Sequence, residues 1–351
     1  MMTVSTTTWQ QVKRYYGEVL QGTADLKTSA CCTAEPPAHI RPLLARVHDE
    51  IHARFYGCGF PLPAGLKGAT VADLGCGTGR DVYVLAQMVG ESGVVHGVDM
   101  TEEQLQVARR HQRWQADRFD HAESNVQFHL GHIEDLSFLA DNSVDVAVSN
   151  CVVNLSPDKE RVLAEVARVL KPGGEFHLSD VVVDRRLAPE LAKDEVLVGE
   201  CLGGAMYDYD LVCMAKRVGF LDPRELSRRE ILIESEQIAA MVGAARFYSV
   251  TYRFFLLPDL DARCEDYGQV ATYLGTLPQH EAMFWLDDHH LFEAHRPERV
   301  CSNTAMMLSA TRFTEHFRID GSLERHFGEF PCDPTMAAAR HTLSDSDASC
   351  C

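Results

Sequence analysis

The 351-residue sequence predicts an α/β fold: a doubly wound, mostly parallel sheet followed by a smaller α+β C-terminal domain. Three observations predict it. From about Thr70 to Asp180, short apolar runs alternate with amphipathic stretches, the pattern of a parallel sheet covered by helices on both faces. The first run enters a glycine-rich turn, "DLGCGTGRD", that opens a helix. Beyond about Glu236 the rhythm changes to strand-like runs in antiparallel order.

Each element has a local reason. "ATVADLG" is a short apolar run ending in glycine, read as the first strand. "RDVYVLAQMVG" has helical spacing and stops at Gly90. "GVVHGVDM" is the second strand, and "TEEQLQVARRHQRWQADRF" begins with a threonine cap and acidic first-turn residues. "NVQFHLG" and "VDVAVSN" are the third and fourth strands. "SPDKERVLAEVARVLKPGG" carries Pro near its start and Pro-Gly-Gly at its end, as a helix should. "EFHLSDVVV" is the fifth strand. "RFYSVTYRFFLL", "GQVATYLGT" and "AMFWLDDHHLFE" are assigned to the C-terminal domain, and the polar tail "SDSDASCC" to disorder.

Composition narrows the function. A net charge of −18 repels phosphate backbones and anionic lipids, so neither nucleic acid nor membrane is an expected partner. No apolar run approaches the length of a membrane span, and the start "MMTVSTTTWQQVKRYYG" lacks a signal-peptide core. The expectation is a soluble, cytoplasmic monomer. Its twelve cysteines are then no disulfide framework, and no C-x-x-C motif suggests a zinc ribbon.

The glycine turn admits any nucleotide-like ligand that needs close backbone approach. Gly75, Gly77 and Gly79 miss the spacing of the dinucleotide fingerprint. Asp73 stands two residues before Gly75, where it would repel a pyrophosphate and suit an ammonium group. Asp99, ending the second strand, is placed for ribose hydroxyls, with a helix cap as its plainer role. Ile133 and Glu134 follow the third strand, near where an adenine would lie. A cation, a ribose and an adenine without phosphate describe S-adenosylmethionine.

Cys58 lies in "FYGCG" before the first strand, Cys151 at the end of the fourth, and Cys201 in "GECLGG" after the fifth. Ligands of open α/β sheets bind outside the strands' carboxyl ends, where these segments converge. Singly, each cysteine reads better as a small buried hydrophobe. Together they suit a soft acceptor. Zinc would favour a fourth ligand and closely spaced pairs. Trivalent arsenic takes three sulfurs and keeps a lone pair that can attack a methyl group without a general base. The neighbouring Gly57, Gly59, Gly203 and Gly204 suit unusual backbone paths.

These residues resemble the arsenite S-adenosylmethionine methyltransferases, from "VKRYYGEVLQGTADLKTSACC" to "TRFTEHFRI". "FYGCG", "DLGCGTGRDVYVLAQMVGESGVVHGVDMT", "SNCVVNL" and "GECLGGAMY" carry the resemblance, the last two most specifically. It implies a Rossmann-like class I methyltransferase fold, with arsenic(III) held by Cys58, Cys151 and Cys201. It implies a fourth, redox cysteine, matched by Cys31 from its distance to "ADL", with Cys32 as its alternate. For S-adenosylmethionine it implies Asp73, Gly75, Gly77, Asp99, Met100, Gln104, Ile133, Glu134 and Asn150. The expected domains are an N-terminal redox segment over 1–39, a methyltransferase domain over 40–235, an α+β domain over 236–335 and a cysteine-bearing tail over 336–351. The expected reaction is methylation of arsenite and then methylarsenite, a detoxification. Once its methyl is transferred, arsenic must regain two electrons. Cys31 is expected to pair with Cys58, and an external thiol reductant of thioredoxin or glutathione type to reopen that bond. Three rivals stand beside this reading. A methyltransferase for a small organic substrate would require a base and a large apolar pocket. A soft-metal sequestration or sensing protein would have no use for Asp73 and Asp99. A nicotinamide oxidoreductase is disfavoured by Asp73.

Overall fold

The computed structural model describes Trp9 and residues 35–191, 194, 197–198 and 201–331. Its centre is an eight-stranded sheet. After two single-turn helices, Arg41–Leu44 and Asp49–His52, the chain runs through β1 (Thr70–Leu74), α1 (Arg80–Val89), β2 (Val94–Asp99), α2 (Glu102–Arg110), α3 (Gln112–Arg118), β3 (Val126–Leu130), β4 (Val144–Asn150), α4 (Lys159–Val169) and β5 (Leu170–Val183). Then come β6 (Met206–Tyr207), α5 (Asp208–Arg217), β7 (Arg224–Ile231), α6 (Glu236–Val242) and β8 (Phe247–Phe255). Strand order is β3-β2-β1-β4-β5-β8-β7, with β6 also paired to β5. The strands β1 to β5 are mutually parallel, as the alternating pattern predicts.

Local chemistry accounts for the helices, with two departures from expectation. Asp158 caps α4 by accepting from Arg161 N at 3.0 Å. The expected long helix after Thr101 is two helices meeting at His111. Thr101 does not cap it with its side chain. Instead the Thr101 N–H donates to Asp99 Oδ1 at 2.8 Å, so the carboxylate at the strand end turns the chain. Apolar side chains on one sheet face pack with α4 and α5 (Leu163, Val166, Leu211), and those on the other pack with α1 and α2 (Val82, Leu85, Leu105). Burying each such side chain contributes about 1.5–3 kcal/mol, which fixes the strand ends that carry the site.

The strand in "RFYSVTYRFFLL" does not belong to the C-terminal module. As β8 it inserts between β5 and β7, antiparallel to both, with Val181 opposite Ser249 and Phe176 opposite Phe254. A boundary at 235/236 therefore cuts through the central sheet. The physical reason is burial on both faces: eight of the nine residues of β8 are buried, which an outlying domain would not require. Beyond Phe255 the chain is α+β. After the short β9 (Glu265–Asp266), β10 (Val270–Tyr273) lies between β13 (Pro297–Arg299) and β14 (Phe317–Asp320), beside helix α7 (Ser302–Ser309). The run "AMFWLDDHHLFE" is a hairpin of β11 (Met283–Trp285) and β12 (Leu291–Glu293). Among the described residues no helix is long and apolar enough to cross a membrane.

Candidate active site

The chain runs outward in both directions from β1 and β4, and these neighbours leave a crevice at their carboxyl ends. The cleft there has an empty volume of about 970 Å³. Asp73, Gly75, Gly77, Asp99, Met100, Gln104, Ile133, Glu134 and Asn150 all line it. The structure thus brings together every residue expected around the donor.

The glycine turn is built for close approach. Gly75 has φ 72°, and a Cβ there would meet the Val152 side chain at 2.3 Å. Gly77 has φ 54° with open space beyond it. Its N–H donates to Asp99 Oδ2 at 2.9 Å, so Asp99 ties the glycine turn to the end of β2. Asp73 is buried, and its Oδ2 has no hydrogen-bond partner. Burial, reinforced by the carboxylates of Asp81 and Asp99, raises its pKa well above the ordinary value. A buried carboxylate oxygen with nothing opposite it fits a cationic ligand group, so the residues present fit the ammonium end of S-adenosylmethionine. Cys76 is a buried thiol whose pKa burial pushes up, as suits a space-filler.

Past β3, Glu134 Oε1 accepts from Ser156 Oγ at 2.5 Å and from Trp9 Nε1 at 3.3 Å. The Trp9 ring also lies 4.4 Å from that of His132, closing one side of the cleft. Sequence reasoning missed Trp9. Its only signal was a large aromatic in a polar N-terminal stretch. It also missed Arg80, which is buried against Asp81 at 2.7 Å and lies 3.0 Å from the centroid of the Phe55 ring.

Asn150 is more than a lining residue. Its Oδ1 accepts from Cys58 N at 2.9 Å and Gly59 N at 3.2 Å. Its Nδ2 donates to Gly59 O and to Asp81 Oδ2, each at 2.9 Å. The side chain expected to contact the cofactor is therefore committed to holding the Cys58 loop. Glycines on both sides make that loop possible: a Cβ on Gly57 would meet Asn150 Nδ2 at 2.5 Å, and one on Gly59 would meet Ser179 Oγ at 2.0 Å. Ser249 Oγ, on β8, donates to Cys58 O at 3.1 Å.

Cys58, Cys151 and Cys201 share one buried cluster with Leu155, Val181 and Phe247. Cys58 and Cys151 are joined as a disulfide, with Cα atoms 5.8 Å apart, and Cys201 Sγ lies 3.6 Å from Cys151 O. The expected partner of Cys58 was Cys31, but here it is Cys151, held opposite by the Asn150 anchor. Cys31 and Cys32 lie outside the described residues. Cys151 and Cys201 both have left-handed backbones, at φ 58° and 61°, which non-glycine residues adopt at a cost of about 1–2 kcal/mol. After Cys201, a Cβ on Gly204 would sit 2.2 Å from Asn154 O, so the two cysteine loops pack backbone to backbone.

A profile of the methyltransferase domain matches residues 66–238. The chain is 54% identical over 346 residues to an arsenite methyltransferase of Aquipseudomonas alcaligenes, covering 97% of this chain and 99% of the relative. It is 40% identical over 316 residues to the arsenite methyltransferase of Homo sapiens, covering 88% and 83%. The crystal structure of an arsenic(III) S-adenosylmethionine methyltransferase from Chlamydomonas reinhardtii superimposes with a TM-score of 0.82 at 49% identity, over 85% of this chain and all of that one.

Proposed function

Because this chain belongs to the arsenite methyltransferase family and methylates arsenite from S-adenosylmethionine, we propose that Cys58, Cys151 and Cys201 hold the arsenic as thiolates at the switch point of the sheet. One observation carries this reading: three cysteines from separate segments meet in one buried cluster, beside a cleft with an unpartnered carboxylate.

S-adenosylmethionine supplies, when bound, an electrophilic methyl on a sulfonium. Asp73 would take its ammonium group, and Gly75 and Gly77 would admit its backbone-like end. Asp99, with Met100 and Gln104 beside it, would face the ribose, and Ile133 and Glu134 the adenine. Asn150 acts through the Cys58 loop rather than on the donor.

An external thiol opens the Cys58–Cys151 bond: two thiols become one disulfide, and their protons pass to the two cysteine sulfurs. Arsenite then exchanges its three hydroxyls for three cysteine sulfurs, releasing three waters. The trigonal arsenic keeps its lone pair, which needs no base to attack a methyl. Methyl transfer leaves arsenic two electrons poorer, and a protein dithiol closing to a disulfide returns them. That Cys58 carries a disulfide here supports a redox role for this thiol. We assign Cys31, or Cys32 in its place, as the thiol that exchanges onto Cys58. Methylarsenite, with two exchangeable groups, is the second acceptor.

The test is reconstitution with arsenite, S-adenosylmethionine and a thiol reductant, with arsenic speciation by mass spectrometry. Cys151→Ser and Cys201→Ser should be inactive on arsenite and methylarsenite. The Cys31→Ser/Cys32→Ser variant should fail on arsenite yet methylate methylarsenite. Parental turnover of arsenite by either single variant would exclude the three-thiolate site.

A further inference from the structure

The donor cleft carries a side chain to which the function proposed above gives no part. Trp9 precedes Glu134 by 125 residues, yet its indole lines the cleft with Met100, Ile133 and Glu134. Two contacts hold it there. Nε1 donates to Glu134 Oε1 at 3.3 Å, and the ring centroid lies 4.4 Å from that of His132, with the planes tilted by 36°. His132 and Glu134 belong to the turn after β3, where the adenine of the donor is placed above. Trp9 is half-buried, so the ring keeps apolar surface that a ligand in the cleft can cover.

The polar atoms around the ring decide what that ligand offers. Glu134 Oε1 accepts from both Trp9 Nε1 and Ser156 Oγ. These two donors fix the plane of the carboxylate. Among the described residues, none donates a hydrogen bond to Oε2. A carboxylate oxygen so placed can accept from an exocyclic amine. Nδ1 of His132 is buried and has no hydrogen-bond partner among the described residues, so a second polar contact is open beside the first. An aromatic ring next to a carboxylate acceptor suits an aminated heterocyclic base. It does not suit a phosphate, which the carboxylate repels.

We propose that Trp9 is a donor-binding residue: its indole stacks on the adenine of S-adenosylmethionine, and its N–H, with Ser156, sets the Glu134 carboxylate to accept from the adenine amine. This rests on the placement of the donor proposed above. The indole makes two separable contributions. Stacking on a base is worth about one to two decades of affinity and is blind to the amine. The Nε1 hydrogen bond acts through Glu134, so it carries discrimination between an amine and a carbonyl at that position. An oxygen in place of the amine would set two acceptors against each other. The cysteine cluster does not include Trp9, so arsenite binding is independent of it.

The test is calorimetric titration of the reduced full-length chain with S-adenosylhomocysteine and with S-inosylhomocysteine, whose base carries a carbonyl oxygen in place of the amine. Trp9→Ala should weaken S-adenosylhomocysteine about tenfold or more. Trp9→Phe keeps an aromatic face and loses the N–H. It should hold S-adenosylhomocysteine within about threefold of the parent, while its preference for the adenosyl over the inosyl ligand falls by about threefold or more. Arsenite affinity should be unchanged in both variants. Parental S-adenosylhomocysteine affinity in Trp9→Ala, a parental adenosyl-to-inosyl ratio in Trp9→Phe, or an equal loss of arsenite and nucleoside affinity in Trp9→Ala would each overturn the assignment. If the parent binds neither nucleoside, the donor site proposed above falls and takes this inference with it. If nucleoside binding depends on Trp9 as expected yet arsenite is not methylated, the function proposed above falls and the role of Trp9 stands.

Discussion

Asn150→Ala separates two roles for the residue beside Cys151. The family resemblance implies a cofactor contact, while the geometry makes Asn150 the anchor of the Cys58 loop. Its side chain makes four hydrogen bonds, to Cys58 N, Gly59 N, Gly59 O and Asp81 Oδ2. Each is worth about 0.5–1.5 kcal/mol net. Water can replace part of this at a half-buried site, so the loss should be about 2–4 kcal/mol, lowering the melting temperature by several degrees. Much of that falls on the Cys58 loop. Arsenite affinity under reducing conditions should therefore weaken by about tenfold or more, while cofactor affinity stays within about threefold. Thermal unfolding and two calorimetric titrations measure all three. Asn150→Asp is the sharper variant. It keeps the Oδ1 acceptor but turns a carboxylate oxygen toward Gly59 O and Asp81 Oδ2, so it should be worse than alanine. The reasoning fails if Asn150→Ala loses cofactor affinity by tens of fold with arsenite binding and melting intact, or if Asn150→Asp is tolerated.

Asp73→Asn should lower cofactor affinity more than about tenfold without destabilising the chain at neutral pH. The Asp73 carboxyl has a raised pKa, so its ionisation costs the fold stability as pH rises above the ordinary carboxylate value, and asparagine removes that cost. Where the free carboxyl is still protonated, cofactor binding should also release a proton, seen as a buffer-dependent calorimetric enthalpy; an enthalpy independent of buffer at every pH would speak against Asp73 as the ammonium partner. His177 is buried with Arg253 and Arg312 nearby, and its pKa is pushed down to about 3. The unfolded chain therefore binds that proton first, and stability should fall as pH drops from about 6.5 toward 3, by up to about 1.4 kcal/mol per pH unit. The gap between denaturation midpoints at pH 7 and pH 5 should narrow in His177→Gln, with the remainder owed to other buried histidines such as His96, whose pKa burial lowers to about 4; an unchanged gap would assign the acid loss elsewhere. Cys201→Gly should relieve the left-handed backbone while losing a small buried side chain, for a net change within about 1 kcal/mol, yet abolish turnover. A loss above about 3 kcal/mol in chemical denaturation would make Cys201 a core residue first.

What could be read from sequence was whatever is local. β1 to β5 announce themselves because each apolar run is short and is followed by its own turn or helix signal. The donor residues were legible because an open sheet places strand-end residues in one crevice, whatever the details of packing. β8 was misassigned because its partners are remote: Val181 and Ser249 are neighbours across 68 residues of chain. β7 gave no strand signal at all, since its edge position leaves "ELSRRE" polar and partly exposed. The Asn150 anchor was invisible for a similar reason. Its partners at Cys58 and Gly59 lie more than 90 residues earlier, and no periodicity records such a pairing. Trp9 reaches Glu134 across 125 residues and was equally unreadable.

Methyl transfer requires donor and acceptor to be held in mutual register, and the end of β4 supplies it. Ser149 pairs in register with Leu74, the residue before the glycine turn. Asn150 grips the Cys58 loop with one end of its amide and, with the other, Asp81 on the helix that the glycine turn opens. Cys151 turns left-handed and takes its N–H to Ser179 O at 2.8 Å, on the next strand. Val152 then fills the space that a side chain on Gly75 would need. Four consecutive residues thus contact the donor cradle and the thiol loops alternately. A shift of one loop cannot leave the other in place, because both are referenced to the same strand. This explains why a cysteine stands at the sheet's lip in a backbone conformation glycine would adopt more cheaply: the position is fixed by what lies on either side of it, and the thiol must be there.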